Sequence, residues 1–490
     1  MKRETFGSRL GFILVSAGCA VGIGNVWKFP YMCGQFGGAA FILIYLVFLL
    51  IMGIPVMVCE FGVGRASRHS VAAAYETLEP KGTKWHITKW IGIIGCYFLM
   101  MFYTTVGGWM LYYCVRSFSG DFVGADMETV SAGFSDMLGN MPLMTFWTIL
   151  ICIIGFGVCA FGIQKGIEKV SKFMMTALLL IMIVLAIHSV MMKGAGAGIR
   201  FYLIPDFRQM AEIGIGNVIF GAMSQAFFTL SIGIGAMLIF GSYMEKDQRL
   251  FGEAVNITVL DTVVALMAGF IIPACFAYGI EPGAGPSLIF ITIPNIFAQV
   301  AGGRVWGGLF FLFLSFAAFT TLVAVFENII SFDMDLFGWS RKKSTLVSLI
   351  LIIILSMPCV MGFNVLAGFT PLGEGSTIMD LEDFIVSNNL LPLGSLGYVL
   401  FCTKKNGWGW NSFLEEINQG EGWKFPAGIK GYMSYGLPLL IIIIYLKGYY
   451  DKFQPMGTKV LVGWMIVAIL FLTFVIGCSC GKSNAEKVDK

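Results

Sequence analysis

The sequence predicts an all-α polytopic membrane protein with 12 transmembrane helices. Of its 490 residues, 57% are hydrophobic and only 12% are charged, and the charged residues cluster between long apolar runs. A helix needs about 20 mainly apolar residues to cross a bilayer. A soluble protein would spread its charges over the whole surface, so composition and pattern together place the chain in a membrane.

Apolar runs of sufficient length follow one another along the chain. The twelve predicted spans lie near residues 10–36, 38–64, 89–116, 144–162, 170–192, 215–243, 254–279, 304–335, 345–362, 379–402, 432–450 and 458–480. No soluble domain interrupts them, so we treat residues 1–490 as one membrane domain. The basic opening "MKRETFGSR" precedes no short apolar core with a small-residue cleavage site, which favours an uncleaved first helix over a signal peptide.

The distribution of basic residues predicts the orientation of the spans. With the N-terminus on the cytoplasmic side, 23 of the 32 Lys and Arg residues fall on that side and eight on the other, with Lys28 inside the membrane. Basic residues are enriched in cytoplasmic loops. We therefore expect a multi-pass protein of the cell (inner) membrane with both termini cytoplasmic.

The first span contains "GCAVGIGNVWKFP", residues 18–30, which suits a continuous helix poorly. Glycine lowers helix stability by up to about 1 kcal/mol, and proline removes a backbone hydrogen bond. One interpretation is a small-residue packing face, since Gly18 and Gly22 have the GxxxG spacing. Asn25 and Lys28 argue against it, because polar groups inside a bilayer are expensive and usually functional.

The sixth span repeats this pattern in "SQAFFTLSIGIG", residues 224–235. Spans one and six correspond if two five-helix repeats, 9–193 and 215–402, precede helices 11 and 12 in 431–480. An odd number of helices per repeat forces the second copy to be inverted. Paired interruptions at equivalent helices indicate a transporter site, where freed carbonyls bind cations and half-helix N-termini face an anion. A zwitterion with Na⁺ satisfies both, since hard cations prefer oxygen ligands.

Other functional classes fit the sequence less well. A channel needs a continuous filter of carbonyls or a ring of charges, and an enzyme needs a catalytic constellation, which does not stand out in the sequence. The 12 cysteines and three histidines show no metal-ligand spacing. A nutrient sensor that binds its ligand without moving it remains an alternative.

Several motifs carry a family resemblance over essentially the whole chain. "RLGFILVSAGCAVGIGNVWKFPY" in the first span resembles the neurotransmitter:sodium symporter family, as do "VCEFGVGR" at 58–65, "KGIEK" at 165–169, "FFTLSIGIGA" at 227–236, "SYMEKDQ" at 242–248 and "EEINQG" at 415–420. The chain is most similar to the bacterial amino-acid transporter branch. The resemblance implies sodium-coupled symport by alternating access, with discontinuous helices 1 and 6.

The resemblance also implies two sodium sites. Oxygen ligands of the first would come from Ala20 (carbonyl), Asn25, Thr229 and Asp261, with the substrate carboxylate. Ligands of the second would come from Gly18, Val21 and Ala317 (carbonyls), Thr320 and Thr321. Asp261 stands where the family has an asparagine. The alternative for "AAFTTL", residues 317–322, is a hydroxyl-bearing packing face.

A substrate pocket is implied in the same region. Its predicted lining is Cys19, Ala20, Ile23, Gly24, Leu99, Tyr103, Phe228, Thr229, Ser231, Ile234, Thr321 and Val325. Tyr103 would bind the substrate carboxylate. Monoamine-carrying members have an aspartate at the position of Gly22, so glycine favours an α-amino acid. The uncharged wall, in which Ile234 replaces a larger phenylalanine, predicts an apolar, bulky or aromatic substrate, with small aliphatic amino acids as the alternative.

Gate residues and chloride use complete the expectations from the resemblance. Lys28 and Asp383 would form the ion pair of the outer gate, and Phe228 with Tyr103 would form an aromatic lid. Arg3 with Asp335, supported by Tyr243, would close the inner side. Chloride-requiring relatives place a serine where this chain has Ala265, and Asp261 four residues earlier would substitute for chloride. We expect a monomer or homodimer in the lipid bilayer that binds an amino acid and no nucleic acid.

Overall fold

The computed structural model describes residues 4–279 and 287–479, and within these ranges the regular structure is helical, without a strand. Two spans are broken: α1 consists of Arg9–Ala20 and Gly24–Gln35, and α6 of Ile215–Thr229 and Ala236–Ser242. The remaining spans are α2 (Ala39–Ser67), α3 (Trp85–Ser119), α4 (Met141–Ala160), α5 (Ile163–Val190), α7 (Leu250–Ala277), α8 (Gly303–Phe337), α9 (Arg341–Met361), α10 (Ile378–Thr403), α11 (Ala427–Met456) and α12 (Thr458–Cys478).

These helices agree closely with the predicted spans. Ten of the described helices are long and apolar enough to cross a membrane, and the bent pair of α1 brings the number to 11. The two halves of α6 are each too short to qualify, because the predicted interruption divides them. The all-helical membrane fold is confirmed, whereas the inverted relation of the two five-helix repeats stays a prediction.

Shorter helices connect the spans outside this core. Their bounds are Val71–Leu78, Met127–Gly139, Gly196–Leu203, Phe207–Ile213, Leu288–Gln299 and Trp410–Ile417. Capping follows from local sequence: Ser8 accepts the Gly11 N–H at the start of α1, and Thr377 forms a capping box with Asp380 at the start of α10.

Prolines explain an irregularity that recurs in five helices. Five-residue π-helical turns end two residues before Pro30, Pro55, Pro294, Pro392 and Pro438. Proline has no N–H and its ring displaces the carbonyl one turn earlier, so the hydrogen-bond ladder shifts locally from i+4 to i+5. Each of these five turns therefore follows from the proline two residues after it.

The core lies around α8. In its most apolar window, 83% of α8 is buried inside the protein, against 11% for α12, which runs along the periphery. α8 packs along α3 and contacts α1, α5 and α9. The breaks of α1 and α6 lie beside this central helix, so the unwound backbone is sheltered from lipid, as membrane proteins require.

Candidate functional site

The break in α1 exposes backbone oxygens at mid-helix. The two halves of α1 are bent by 56°, with Val21–Ile23 between them. The Cys19 carbonyl, freed from the helical ladder, accepts hydrogen bonds from Ser231 Oγ at 3.4 Å and Thr321 Oγ1 at 3.2 Å. The predicted interruption is thus present, and its carbonyls face side chains from α6 and α8.

The break in α6 spans residues 230–235 and is shaped by positive φ angles. Gly233 has φ 105° and Gly235 has φ 80°, which glycine adopts without a Cβ clash. Ser231 adopts φ 50°, which is uncommon for a residue with a side chain. Such backbone is retained where surrounding contacts enforce it.

Glu60 of α2 supplies those contacts. This fully buried carboxylate accepts the N–H groups of Gly233 and Met237, the latter at 3.2 Å. An intramembrane acid in the motif "VCEFGVGR" thus holds the backbone of the α6 break. Gln225 was missed by the sequence analysis: its Nε2 donates to the Gly24 carbonyl at 3.0 Å and links the two broken helices. In the sequence, Gln225 was marked only by being a polar residue inside an apolar run.

Three side chains predicted for the first sodium site meet at one point. Asn25 Nδ2 donates to Asp261 Oδ1 at 2.8 Å, and Thr229 Oγ1 donates to Asp261 Oδ2 at 3.1 Å. All three residues are at most 1% exposed. Ala20, the fourth predicted ligand, lies at the wall of the adjacent cavity. The geometry gathers several oxygen atoms of the kind that hard cations prefer.

The residues predicted for the second sodium site also converge. Thr321 Oγ1 lies 3.3 Å from both the Gly18 and the Val21 carbonyl oxygens, and 3.4 Å from that of Ala317. Thr320 Oγ1 contacts the Ala317 carbonyl at 3.1 Å. One hydroxyl proton can satisfy only one carbonyl at a time, so this cluster is rich in acceptor oxygen. Its chemistry fits a sodium ion.

A cavity of about 30 Å³ lies between the two oxygen clusters. Ten of the twelve predicted pocket residues line it, namely Ala20, Ile23, Gly24, Leu99, Tyr103, Phe228, Thr229, Ser231, Ile234 and Thr321. Gly22 and Leu391 complete the lining. Cys19 and Val325 instead lie fully buried behind the wall.

Tyr103 and Gly22 form the polar side of the cavity. The Tyr103 hydroxyl accepts the Ile23 N–H at 3.0 Å. A Cβ built on Gly22 would collide with this hydroxyl and would lie 2.8 Å from Thr321 Oγ1. Glycine is therefore required by the close approach of α1 to α3 and α8.

At the predicted outer gate the contacts differ from a simple ion pair. Lys28 Nζ lies 3.8 Å above the ring centroid of Phe228, a cation–π contact. Asp383 accepts a hydrogen bond from Ser387 Oγ at 2.7 Å on its own helix. A second cavity of about 330 Å³, bordered by Lys28 and Phe228, lies on this side of the aromatic ring. Phe228 thus separates the two cavities, as expected for a lid.

Of the residues predicted for the inner gate, Arg3 lies outside the described residues. Asp335 accepts the Ser70 N–H at 2.6 Å. Tyr243 donates to Glu327 Oε1 at 2.6 Å, and Arg341 forms an ion pair with the same carboxylate at 2.7 Å. Glu327 and Arg341 carry no signal in the local sequence that marks them as part of this network.

Further contacts hold the N-terminal segment on this side. Glu168 accepts the Gly7 N–H at 2.8 Å and the Ser8 hydroxyl at 3.0 Å, and pairs with Lys172 at 2.6 Å. Arg9 pairs with the buried Glu253 at 2.6 Å. The sequence motif "KGIEK", which contains Glu168, marked this segment, but it did not predict that Glu168 contacts Gly7 and Ser8.

These features define a class of protein: a helical membrane transporter with a central cavity between two broken helices. The family model of the sodium:neurotransmitter symporter family matches residues 3–130 and 126–479. The chain therefore belongs to this family of sodium-dependent transporters.

Individual relatives agree with this assignment. The chain is 35% identical over 450 residues to an uncharacterized sodium-dependent transporter, YhdH, of Bacillus subtilis, covering 91% of this chain and 98% of the relative. It is 28% identical to the sodium-dependent serotonin transporter of Drosophila melanogaster, over 77% of this chain and 68% of the relative. Among solved structures, MhsT in complex with L-phenylalanine is 36% identical, with a TM-score of 0.82, covering 91% of this chain and 100% of that structure.

Proposed function

We propose that the protein is a sodium-coupled symporter of an apolar, bulky or aromatic α-amino acid that works by alternating access. The observation that carries the proposal is the cavity itself, which lies between the oxygen cluster at Asp261 and the one at Thr321. Two bound Na⁺ ions would share the α1 break with the substrate. Alternating access is supported by an aromatic ring that separates the cavity from the outer vestibule.

The substrate class follows from the cavity wall. Leu99, Ile234 and Leu391 are uncharged, and a desolvated charged side chain would have no partner among them. The polar groups lie at the α1 break, where they would hold an amino acid's carboxylate and amine. Similarity to MhsT, whose structure contains L-phenylalanine, favours an aromatic substrate.

Sodium coupling would provide the driving force. Two Na⁺ ions entering across 100 mV supply roughly 4.6 kcal/mol, at about 2.3 kcal/mol per charge. That energy supports roughly thousandfold accumulation of a net-neutral amino acid, at about 1.4 kcal/mol per decade. The excess of basic residues on one side of the spans supports cytoplasmic termini in a cell membrane.

The proposal is tested by uptake of a labelled amino-acid panel into proteoliposomes, with inward gradients of Na⁺ or of K⁺. We expect Na⁺-dependent accumulation of phenylalanine, tryptophan or leucine. If lysine or glutamate outcompetes every apolar amino acid, the substrate assignment is wrong. Binding without accumulation would identify the sensor alternative, and preference for alanine or glycine would identify a carrier of small aliphatic substrates.

We further propose that transport is independent of chloride, with Asp261 supplying the negative charge. Asp261 is fully buried and is held by Asn25 and Thr229, so its carboxylate lies at the proposed first sodium site. Ala265, one helical turn along α7, is also buried and has no side-chain oxygen for an anion.

Uptake measured in chloride and in gluconate tests whether Asp261 takes the place of chloride. We expect equal rates for the wild type in both salts. In the double variant Asp261→Asn/Ala265→Ser, which restores the residues of chloride-requiring relatives, we expect activity only in chloride. The single variant Ala265→Ser is the matched control and should stay chloride-independent. A wild type that requires chloride would refute the proposal.

A further inference from the structure

A deep apolar groove lies on the lipid-facing side of the protein, between the first turns of α3, the middle of α10 and the length of α12. Its volume is about 830 Å³, within the range of small-molecule sites. Residues along its walls include Trp90, Ile94, Leu393, Trp464 and Phe471. Because these segments cross the membrane, the groove opens to bilayer and not to bulk water.

The floor of the groove has its polar groups internally satisfied. Asn389 Oδ1 accepts a hydrogen bond from the Tyr449 hydroxyl, and Asn389 Nδ2 donates to the Phe384 carbonyl at 3.2 Å. No polar ligand group is therefore required along the groove. An unbranched hydrocarbon chain is the matching occupant, because lipid tails are as apolar as the leucine and phenylalanine side chains that line the groove.

The end of the groove where α3 begins and α12 ends is basic. Lys84 immediately precedes the helical turn Trp85–Thr88 at the start of α3, and this turn packs against α12. Lys89 Nζ lies 5.9 Å from the ring centroid of Trp90, which lines the groove. Glu79, in the same connection, already pairs with the ring of His86 at 2.6 Å.

We propose that this groove is a binding site for an anionic phospholipid. One acyl chain lies along α3, α10 and α12, and the phosphate meets Lys84 and Lys89. Basic residues at the end of an intramembrane groove are the arrangement that binds anionic headgroups. Both an apolar length and a charged end are needed: the groove provides the first, and Lys84 and Lys89, beside the start of α3, provide the second.

The site adjoins the transport machinery through one helix wall. Leu390 and Leu393 of α10 face the groove, whereas Leu391, between them, lines the central cavity. The π-helical turn Val386–Leu390 ends at this wall. The lipid therefore packs directly behind the helix that carries Asp383, although its binding does not depend on which substrate is carried.

The test uses the full chain in nanodiscs with a phosphatidylglycerol that carries a photoreactive diazirine on its acyl chain. We expect cross-links in peptides from α3, α10 and α12. Displacement of the probe should require about 30-fold less unlabelled phosphatidylglycerol than unlabelled phosphatidylcholine. Each of the two lysines should raise the affinity for the anionic lipid roughly fivefold, and the two factors multiply. Because the readout is labelling, it is independent of uptake and of the function proposed above.

Variants separate the headgroup from the acyl chain. Lys84→Gln/Lys89→Gln should reduce the 30-fold preference to near one, whereas the control Lys165→Gln/Lys342→Gln, on exposed lysines of α5 and α9, should preserve it. Ile94→Trp, at a residue 43% exposed to the groove, should fill the groove and lower labelling by both lipids about tenfold.

Three results would overturn the proposal. Equal displacement by the two lipids would remove the headgroup site, and labelling spread evenly onto α4 and α5 would remove the groove. Cross-links between two copies through α12, in place of lipid, would show that a second protein molecule covers this face. Size-exclusion profiles of the variants distinguish lost binding from lost folding.

Discussion

Replacing Thr321 by valine should selectively weaken sodium binding. The Thr321 hydroxyl oxygen lies 3.2–3.4 Å from four carbonyl oxygens, three in α1 and one in α8. Valine keeps the shape of threonine and removes only that oxygen. A contact to a charged group is worth about 1.5–3 kcal/mol, so the sodium concentration for half-maximal uptake should rise by about 10- to 150-fold.

Folding should change much less. The lost hydroxyl donates one ordinary hydrogen bond, worth about 1 kcal/mol. The assay is sodium-dependent amino-acid uptake in proteoliposomes, with thermal unfolding measured on the same preparations. Thr148→Val is the matched control, because Thr148 is buried and its hydroxyl has no hydrogen-bond partner among the described residues. Unchanged sodium dependence in a stable Thr321→Val variant would show that α8 only packs against α1.

Three further predictions concern the gates and the broken helices. Lys28→Arg should keep the stacking on Phe228 and add a bidentate pair with Asp383, so a cysteine placed in the outer cavity should react more slowly; an unchanged rate would exclude this latch. Glu60→Gln offers one acceptor oxygen for two backbone N–H groups, so the free energy of unfolding should fall by about 1–3 kcal/mol. The thermal unfolding temperature and the uptake rate should both fall with it. Glu168→Gln should free the N-terminal segment, and hydrogen exchange at the Gly7 amide should accelerate roughly tenfold; slow exchange would show that other contacts hold the segment.

Much of the fold could be predicted because bilayer physics makes span length a strong constraint. Span boundaries such as 215–243 and 379–402 lie within a few residues of the observed Ile215–Ser242 and Ile378–Thr403. The interruption of α1 was also predictable, since glycine, asparagine and lysine rarely share a continuous span. These signals are local in sequence.

Contacts between distant segments were harder to foresee. Nothing in the local sequence tells whether Lys28 meets Asp383 or the ring of Phe228, because a flexible ammonium can reach either. Glu327 and Arg341 are separated by 14 residues and a turn, and only the packing of α8 against α9 brings them together. Val325, four residues after Thr321 on α8, is fully buried and does not line the cavity, and sequence spacing alone could not distinguish the two positions.

The close packing around Gly22 restricts which residues this transporter can accept at that position. Any side chain there displaces the Tyr103 hydroxyl and crowds Thr321. An aspartate at residue 22, the residue that would pair with an amine lacking a carboxylate, therefore needs the Tyr103 hydroxyl to move aside. We expect a change of cargo at this position to depend on an accompanying change at Tyr103 or in the position of α3. The space around one glycine thus links the class of cargo to the packing of a neighbouring helix.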